Sequence, residues 1–351
     1  MKEHFDADGT ADELIPHVAR VLSMPERDLR SHLGRIGLSE RRDLFCRSEI
    51  RAPFEVEVSR GFLMFTYGLA SFFAGTVCRE SDEEEKLGLW PRALWTRMLS
   101  NFIKDAMEKG LKVAPHLGLF DLNSFQGMLS EFMNSGAHVF ALAHEFGHII
   151  VAMAPGEVKE RRLAETFVDG ASDLFGNVLK QSGVRECWIE EIACEIIAIQ
   201  LFLDWLDQKL SEDGEGGLDA VVAMAEKPEY ENALNVERQL AETGYLDAGT
   251  ILDELLDDER DAIGLRFSAS ASLCGMDLLL IGFQILEEGQ RFEPSRTHPP
   301  AILRRRVLIE ALRDKGVTGL DRNLRLFAEG FAENYVAPLL GDHRYPFTLA
   351  R

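Results

Sequence analysis

Apolar residues run along this chain in long, dense blocks more often than in short alternating ones. From Ser268 to Glu288, and again from Ala301 to Leu340, they recur at helical spacing, with Pro294, Pro299 and Pro300 marking a loop between. Gly136 to Ala154 (GAHVFALAHEFGHIIVAMA) and Glu186 to Leu210 read as helices that are apolar on nearly every side. Nearer the N-terminus, Asp12 to Leu22 and Glu26 to Leu33 predict small surface helices, while the β-branched and aromatic content of Glu55 to Thr66 predicts one or two strands. Gly61 to Cys78 (GFLMFTYGLASFFAGTVC) carries no charge between Arg60 and Arg79. Its glycines and its FLMFTY opening read as a buried strand, a turn at Gly68 and the start of a core helix. A membrane span at the lower length limit is the alternative, and with it membrane association through 61–78.

Ser211 to Gly217 (SEDGEGG) has the composition of a flexible linker, and the acidic stretch from Lys227 to Asp261 predicts solvent-facing helices. No internal repeat is visible. The division expected is an N-terminal helical segment over 1–54, a main domain over 55–310 with an acidic insertion near 211–261, and a C-terminal helical segment over 311–351.

Charge narrows the partners. The 59 acidic side chains outnumber the 38 basic ones, for a net charge of −21, and no Lys/Arg-rich stripe breaks the excess, so a nucleic-acid partner is not expected. The 5 cysteines are scattered without a CxxC pair, which suggests neither a disulfide framework nor a thiolate zinc site and fits a reducing cytoplasm. The N-terminal MKEHFDADGTADEL has no apolar signal-peptide core, so a cytoplasmic location is expected.

Chemistry concentrates in the Gly136 to Ala154 helix, which holds His144, Glu145 and His148 in the pattern HExxH. Positions i and i+4 lie one above the other on a helix, so both imidazoles can reach one ion while Glu145 sits beside the open coordination position. Zinc suits imidazole ligands, and a catalytic site keeps one position for a water. The pattern arises by chance in many chains, mostly on polar surface helices. Here it interrupts an apolar helix, where two histidines and a carboxylate are costly to bury without a partner.

A third protein ligand is expected, and two pairs of carboxylates offer one. Glu191 and Glu195 share a face of the apolar helix CWIEEIACEIIAIQLFLDWL, so Glu191 could bind the ion while Glu195 accepts the Nδ1 proton of a ligand histidine. Asp169 and Asp173, in ETFVDGASDLFGNVL, have the same spacing and the alternative reading of a turn or cap beside Gly170 and Ser172.

The order HEFGH, EIACEIIA, THPPAILRRR resembles the gluzincin metallopeptidases, specifically the family of the HtpX heat-shock protease and the CAAX prenyl endopeptidases with their soluble relatives. The resemblance implies that Glu191 is the glutamate ligand, Glu195 the orienting carboxylate, and His298 or Arg304 the donor that stabilises the oxyanion. Cys194 and Glu195 stand where that pattern has Ala-Asp, and FLMFTYGL is similar to the strand and Gly-Leu turn preceding the metal helix. DGASDLFG is also similar to the thermolysin-type ligand stretch, with Asp169 in the glutamate's place; Glu191 is preferred because only that choice also uses THPP.

The expected fold is therefore α+β and mainly helical, zincin-like, with a small sheet containing the Glu55 to Tyr67 strands packed on the metal helix. The expected function is zinc-dependent endopeptidase action on a protein or peptide, with one zinc ion per chain and Glu145 as general base. The alternative from another class is a catalytically silent zincin-fold module, acting as a sensor or partner-binding subunit in stress or phage-defence regulation. The intact Glu145 argues against it, since a silent module needs no general base.

Overall fold

The computed structural model describes residues 7–41, 46–49, 51–77, 92–107, 124–154, 158–213, 216–224, 227, 231, 235, 239, 257–289, 296–341 and 344–349. It opens with α1 (Ala7–Val21), which starts before the expected Asp12, and α2 (Glu26–His32), close to the expected bounds. α1 buries Ala11, Leu14, Ile15, Val18 and Ala19, a single apolar stripe. α2 carries Glu26 and Asp28 in its first turn and Arg30 and His32 in its last, each sign at the end the helix dipole favours.

Three strands follow: β1 (Leu33–Ser39), β2 (Cys46–Glu49) and β3 (Phe54–Ser59), in the order β1-β3-β2. β3 is parallel to β1, with Ile36 opposite Val56, and antiparallel to β2, with Ser48 opposite Val56. Phe54, Val56 and Val58 alternate inward from β3. Residues 1–54, expected to be helical, therefore contain two strands. Neither LGRIGLS nor CRSE has a strong strand composition, and both gain order from pairing with β3.

Over residues 61–77 the predicted strand, turn and helix are corrected to one helix, α3 (Arg60–Val77), with Gly68 inside it; Cys78 lies outside the described residues. Ser59 ends β3 and starts this helix, its Oγ accepting the Phe62 backbone N–H at 3.0 Å, so the strand stops seven residues before the expected Thr66. Phe62, Phe65, Leu69, Phe72 and Phe73 of α3 are core residues. Two other stretches, Gln126–Met153 and Arg260–Gly289, are long and apolar enough to cross a membrane by length and composition alone, and most of each is buried within the protein.

The helices continue as α4 (Arg92–Met107), α5 (Ser124–Met153), α6 (Glu160–Gly170), α7 (Ser172–Leu179), α8 (Val184–Asp213), α9 (Gly217–Ala223), α10 (Asp257–Gly289), α11 (Ala301–Asp314), α12 (Thr318–Phe331), a π-helical turn (Ala332–Val336) and α13 (Ala337–Leu340). The class is thus α+β, mainly helical, with a small three-stranded sheet. The expected linker is helical through Asp213 and ends at α9, whose Leu218 N–H is held by Asp207 Oδ1 at 2.7 Å. Of the acidic helices expected over Lys227 to Asp261, most residues lie outside those described.

α5 is the central element, packed against α3, α8 and α10. Gly136 of α5 lies on the Ser272 backbone of α10, and Gly275 of α10 lies on the Met133 backbone of α5, so the two helices touch main chain to main chain. The C-terminal segment is not helical throughout: residues 344–349 form a strap. Gln284 donates to the carbonyls of Tyr345 and Pro346, and Glu333 accepts from the N–H groups of Phe347 and Thr348. The fully buried Arg305 donates to Phe347 O while pairing with Asp277.

Candidate metal centre

HExxH lies in the second half of α5, where Phe140, Leu142, Ala143, Phe146, Ile149 and Ile150 fill the core around it. The residue between Glu145 and His148 that matters for packing is Gly147. A methyl group there would meet Cys194 O at 2.8 Å and Cys194 Cα at 3.1 Å. Only the absence of a side chain lets α8 lie this close, and the approach carries Glu191 and Glu195 to the histidines.

The three donors converge. His144 Nε2 is 3.4 Å from Glu191 Oε2, His148 Nε2 is 3.6 Å from Glu191 Oε1, and one ligand atom from each residue lies within 4.8 Å of the others. The two rings are edge to face, 5.0 Å apart at an interplanar angle of 89°, so both point into the same space. His144, His148 and Glu191 form a group that could hold a metal ion. The fit is also chemical: two imidazole nitrogens and a carboxylate make a borderline donor set, and Glu191 Oε2 is buried without an aligned hydrogen bond of its own.

Behind this group stands a second row. His144 Nδ1 is 2.9 Å from Glu195 Oε2, and Arg304 of α11 donates to the same carboxylate, Nη2 to Oε2 at 2.7 Å and Nε to Oε1 at 3.3 Å. The Arg304 guanidinium also lies over the Phe283 ring, 5.5 Å from its centre. Glu287, at the end of α10, accepts the Ala301 N–H at 3.0 and 3.2 Å and fixes the start of α11. His298, just before that start, is exposed and brings Nε2 to 3.6 Å from Glu191 Oε1, while its Nδ1 is 2.8 Å from Thr297 Oγ1. On the other side, His148 Nδ1 faces Cys194 Sγ at 3.3 Å.

These contacts set unequal proton affinities among the residues themselves. Burial alone would lower the His144 pKa, but contact with Glu191 and Glu195 and the charge of Glu195 raise it to about 10. Burial lowers that of His148 to about 4, helped by the charge of His144. Burial would raise that of Glu191, yet contact with His144 and the charges around it bring it to about 2. Glu145 is buried, and burial raises its pKa to about 7 against the charge of His144 and hydrogen bonds from Ser48 of β2.

Asp169 and Asp173 are not part of this group. Asp169 is exposed and paired with Arg185 through both oxygens at 2.9 Å, and Asp173 is exposed as well. Of the two expected oxyanion donors, Arg304 is paired with the buried Glu195, and His298 is exposed with Nε2 3.6 Å from Glu191 Oε1. Ser48, Glu287, Phe283 and the packing role of Gly147 had no signal in the sequence beyond the glycine itself. A separate cleft of about 390 Å³ between α1 and β1, lined by Ala11, Ile15, Leu33 and Ile36 among others, shares no residue with the group.

Comparison with known protein families, with curated proteins and with solved structures finds no match.

Proposed function

We propose that this chain is a zinc-dependent endopeptidase of the gluzincin type, with a zincin-like core of α5 and the small sheet. The observation that carries the reading is the convergence of His144, His148 and Glu191 on one space, with Glu145 buried beside it. Two imidazoles and a carboxylate suit zinc with one position left open. When bound, zinc supplies Lewis acidity, which polarises a substrate carbonyl and makes a water nucleophilic near neutral pH.

The remaining steps belong to the chain's own residues. Glu145, whose pKa lies at about 7, takes a proton from the attacking water and delivers it to the leaving amine as the C–N bond breaks. The products are a carboxylate and an amine. Ser48 holds Glu145 in place from β2. His298, whose Nε2 is 3.6 Å from Glu191 Oε1, would donate to the negative charge developing on the carbonyl oxygen. β2 pairs with β3 on one side, so its other edge is open among the described residues for an extended peptide to add as a further strand.

The test is metal analysis of chelator-free protein, followed by a peptide-library digest with the wild type and Glu145→Gln. We expect about one zinc per chain in both proteins and cleavage only by the wild type. Protein that holds no zinc and takes none up ends the proposal, as does a Glu145→Gln variant with normal turnover.

A further inference from the structure

Cys194 takes no part in metal binding or proton transfer as described, yet it lies on α8 between Glu191 and Glu195 and is fully buried. Its Sγ stands 3.3 Å from His148 Nδ1, within reach of an N–H to sulfur hydrogen bond. The opposite nitrogen, Nε2, is the one that faces Glu191. The position of the sulfur is fixed from below, because the Cys194 backbone is pressed against Gly147.

A histidine that offers its Nε2 lone pair to a cation carries its proton on Nδ1, and that proton needs an acceptor when the ring is buried. For His144 the group facing Nδ1 is the Glu195 carboxylate, 2.9 Å away and itself paired with Arg304. For His148 the group in that place is the sulfur of Cys194. We propose that Cys194 is a positioning residue that accepts the Nδ1 proton of His148 and so aims Nε2 at the metal. The two ligand histidines are then held by unlike groups, a carboxylate on one and a sulfur on the other. This role rests on the metal-site reading above.

The experiment measures zinc affinity of the full chain by chelator competition for the wild type, Cys194→Ala and Cys194→Ser, and records the absorption spectrum of each with cobalt(II) in place of zinc. Losing the acceptor should weaken zinc binding about 10–100-fold in Cys194→Ala, whereas the Ser hydroxyl accepts the same proton and recovers most of the loss. The cobalt spectrum should shift in the alanine variant and return in the serine one. Nitrogen-15 NMR of the zinc-loaded wild type should place a proton on His148 Nδ1, a measurement that stands even where Cys194→Ala fails to fold. Wild-type affinity with an unchanged cobalt spectrum in Cys194→Ala, or zinc on Nδ1 of His148, overturns the role of Cys194 alone. A wild-type chain that takes up neither zinc nor cobalt overturns the metal reading, and this role with it.

Discussion

Arg304 and Glu195 form a buried ion pair that supports the metal group from behind, Nη2 to Oε2 at 2.7 Å, and the same oxygen stands 2.9 Å from His144 Nδ1. Burial would raise the Glu195 pKa, but the charge of Arg304 and the contact with His144 hold it below the ordinary carboxylate value. A charged carboxylate is thereby kept where it can fix the His144 tautomer. The arrangement links α11, α8 and α5 in one row, so its two ends are energetically coupled.

Removing Arg304 alone should therefore be worse than removing the pair. Arg304→Leu leaves Glu195 buried and without its cation, which costs about 3–5 kcal/mol, whereas adding Glu195→Leu removes the stranded charge and restores part of the stability. Denaturant unfolding of the metal-free protein measures both. An Arg304→Leu variant within about 1 kcal/mol of the wild type would show that the pair is not desolvated as described.

The third ligand is the next test. Glu191→Ala removes a carboxylate from the donor group and should weaken zinc binding by one to several orders of magnitude, while Glu195→Ala should cost about 10–100-fold. Asp169→Ala breaks only an exposed pair with Arg185 and should leave zinc affinity unchanged. Chelator competition at fixed pH ranks the three. Loss of metal in Asp169→Ala with retention in Glu191→Ala would reverse the assignment.

What could be read in the sequence follows from how local each signal is. HExxH and the Glu191/Glu195 pair each lie on one helix, so i, i+4 spacing alone puts each pair on one face. The choice between Glu191 and Asp169 is different, because it depends on which helix crosses α5 at Gly147, a relation between distant segments. β1 and β2 were invisible for a similar reason: their order comes from pairing with β3. α3 differs from the expectation because an apolar run has no periodicity to separate a buried helix from a strand, and its start is marked only by the Ser59 cap. Arg304 is legible as a site residue, whereas its pairing with Glu195 is a tertiary fact.

Metal uptake should depend on pH in a direction that the proton affinities fix. In the metal-free protein His144, with its pKa raised to about 10, is protonated at neutral pH, so a cation binding at Nε2 must displace a proton. His148 and Glu191, at about 4 and about 2, have already lost theirs and add no pH dependence there. Apparent zinc affinity should thus rise roughly tenfold per pH unit from about pH 6 to 8, with Glu145 adding to the slope near its own pKa of about 7. The same group gives the metal-free chain a stability that is full below the unfolded value of 6.5 and is lost as pH rises through about 10. Chelator competition across this range tests the first statement. A flat profile would mean that His144 is neutral before the metal arrives.

The closeness of α5 and α8 sets the distances from Glu191 and Glu195 to the two histidines, and Gly147 tests it directly. A methyl group at Gly147 would stand 2.8 Å from Cys194 O and 3.1 Å from Cys194 Cα, both backbone atoms that cannot swing aside. The helices must part by a few tenths of an ångström, which costs about 1–3 kcal/mol and draws Glu191 away from His144 and His148. Gly127, on the same helix, meets nothing within 4 Å among the described residues, so alanine there keeps the packing and gains up to about 1 kcal/mol of helix propensity. Gly147→Ala should therefore lower both the thermal midpoint and zinc affinity, while Gly127→Ala lowers neither. Thermal melts of the metal-free variants separate the packing effect, and zinc titrations then report the displacement of Glu191. If Gly147→Ala melts and binds zinc as the wild type does, α8 does not lie against α5 at this point, and the group formed by His144, His148 and Glu191 loses its geometric basis.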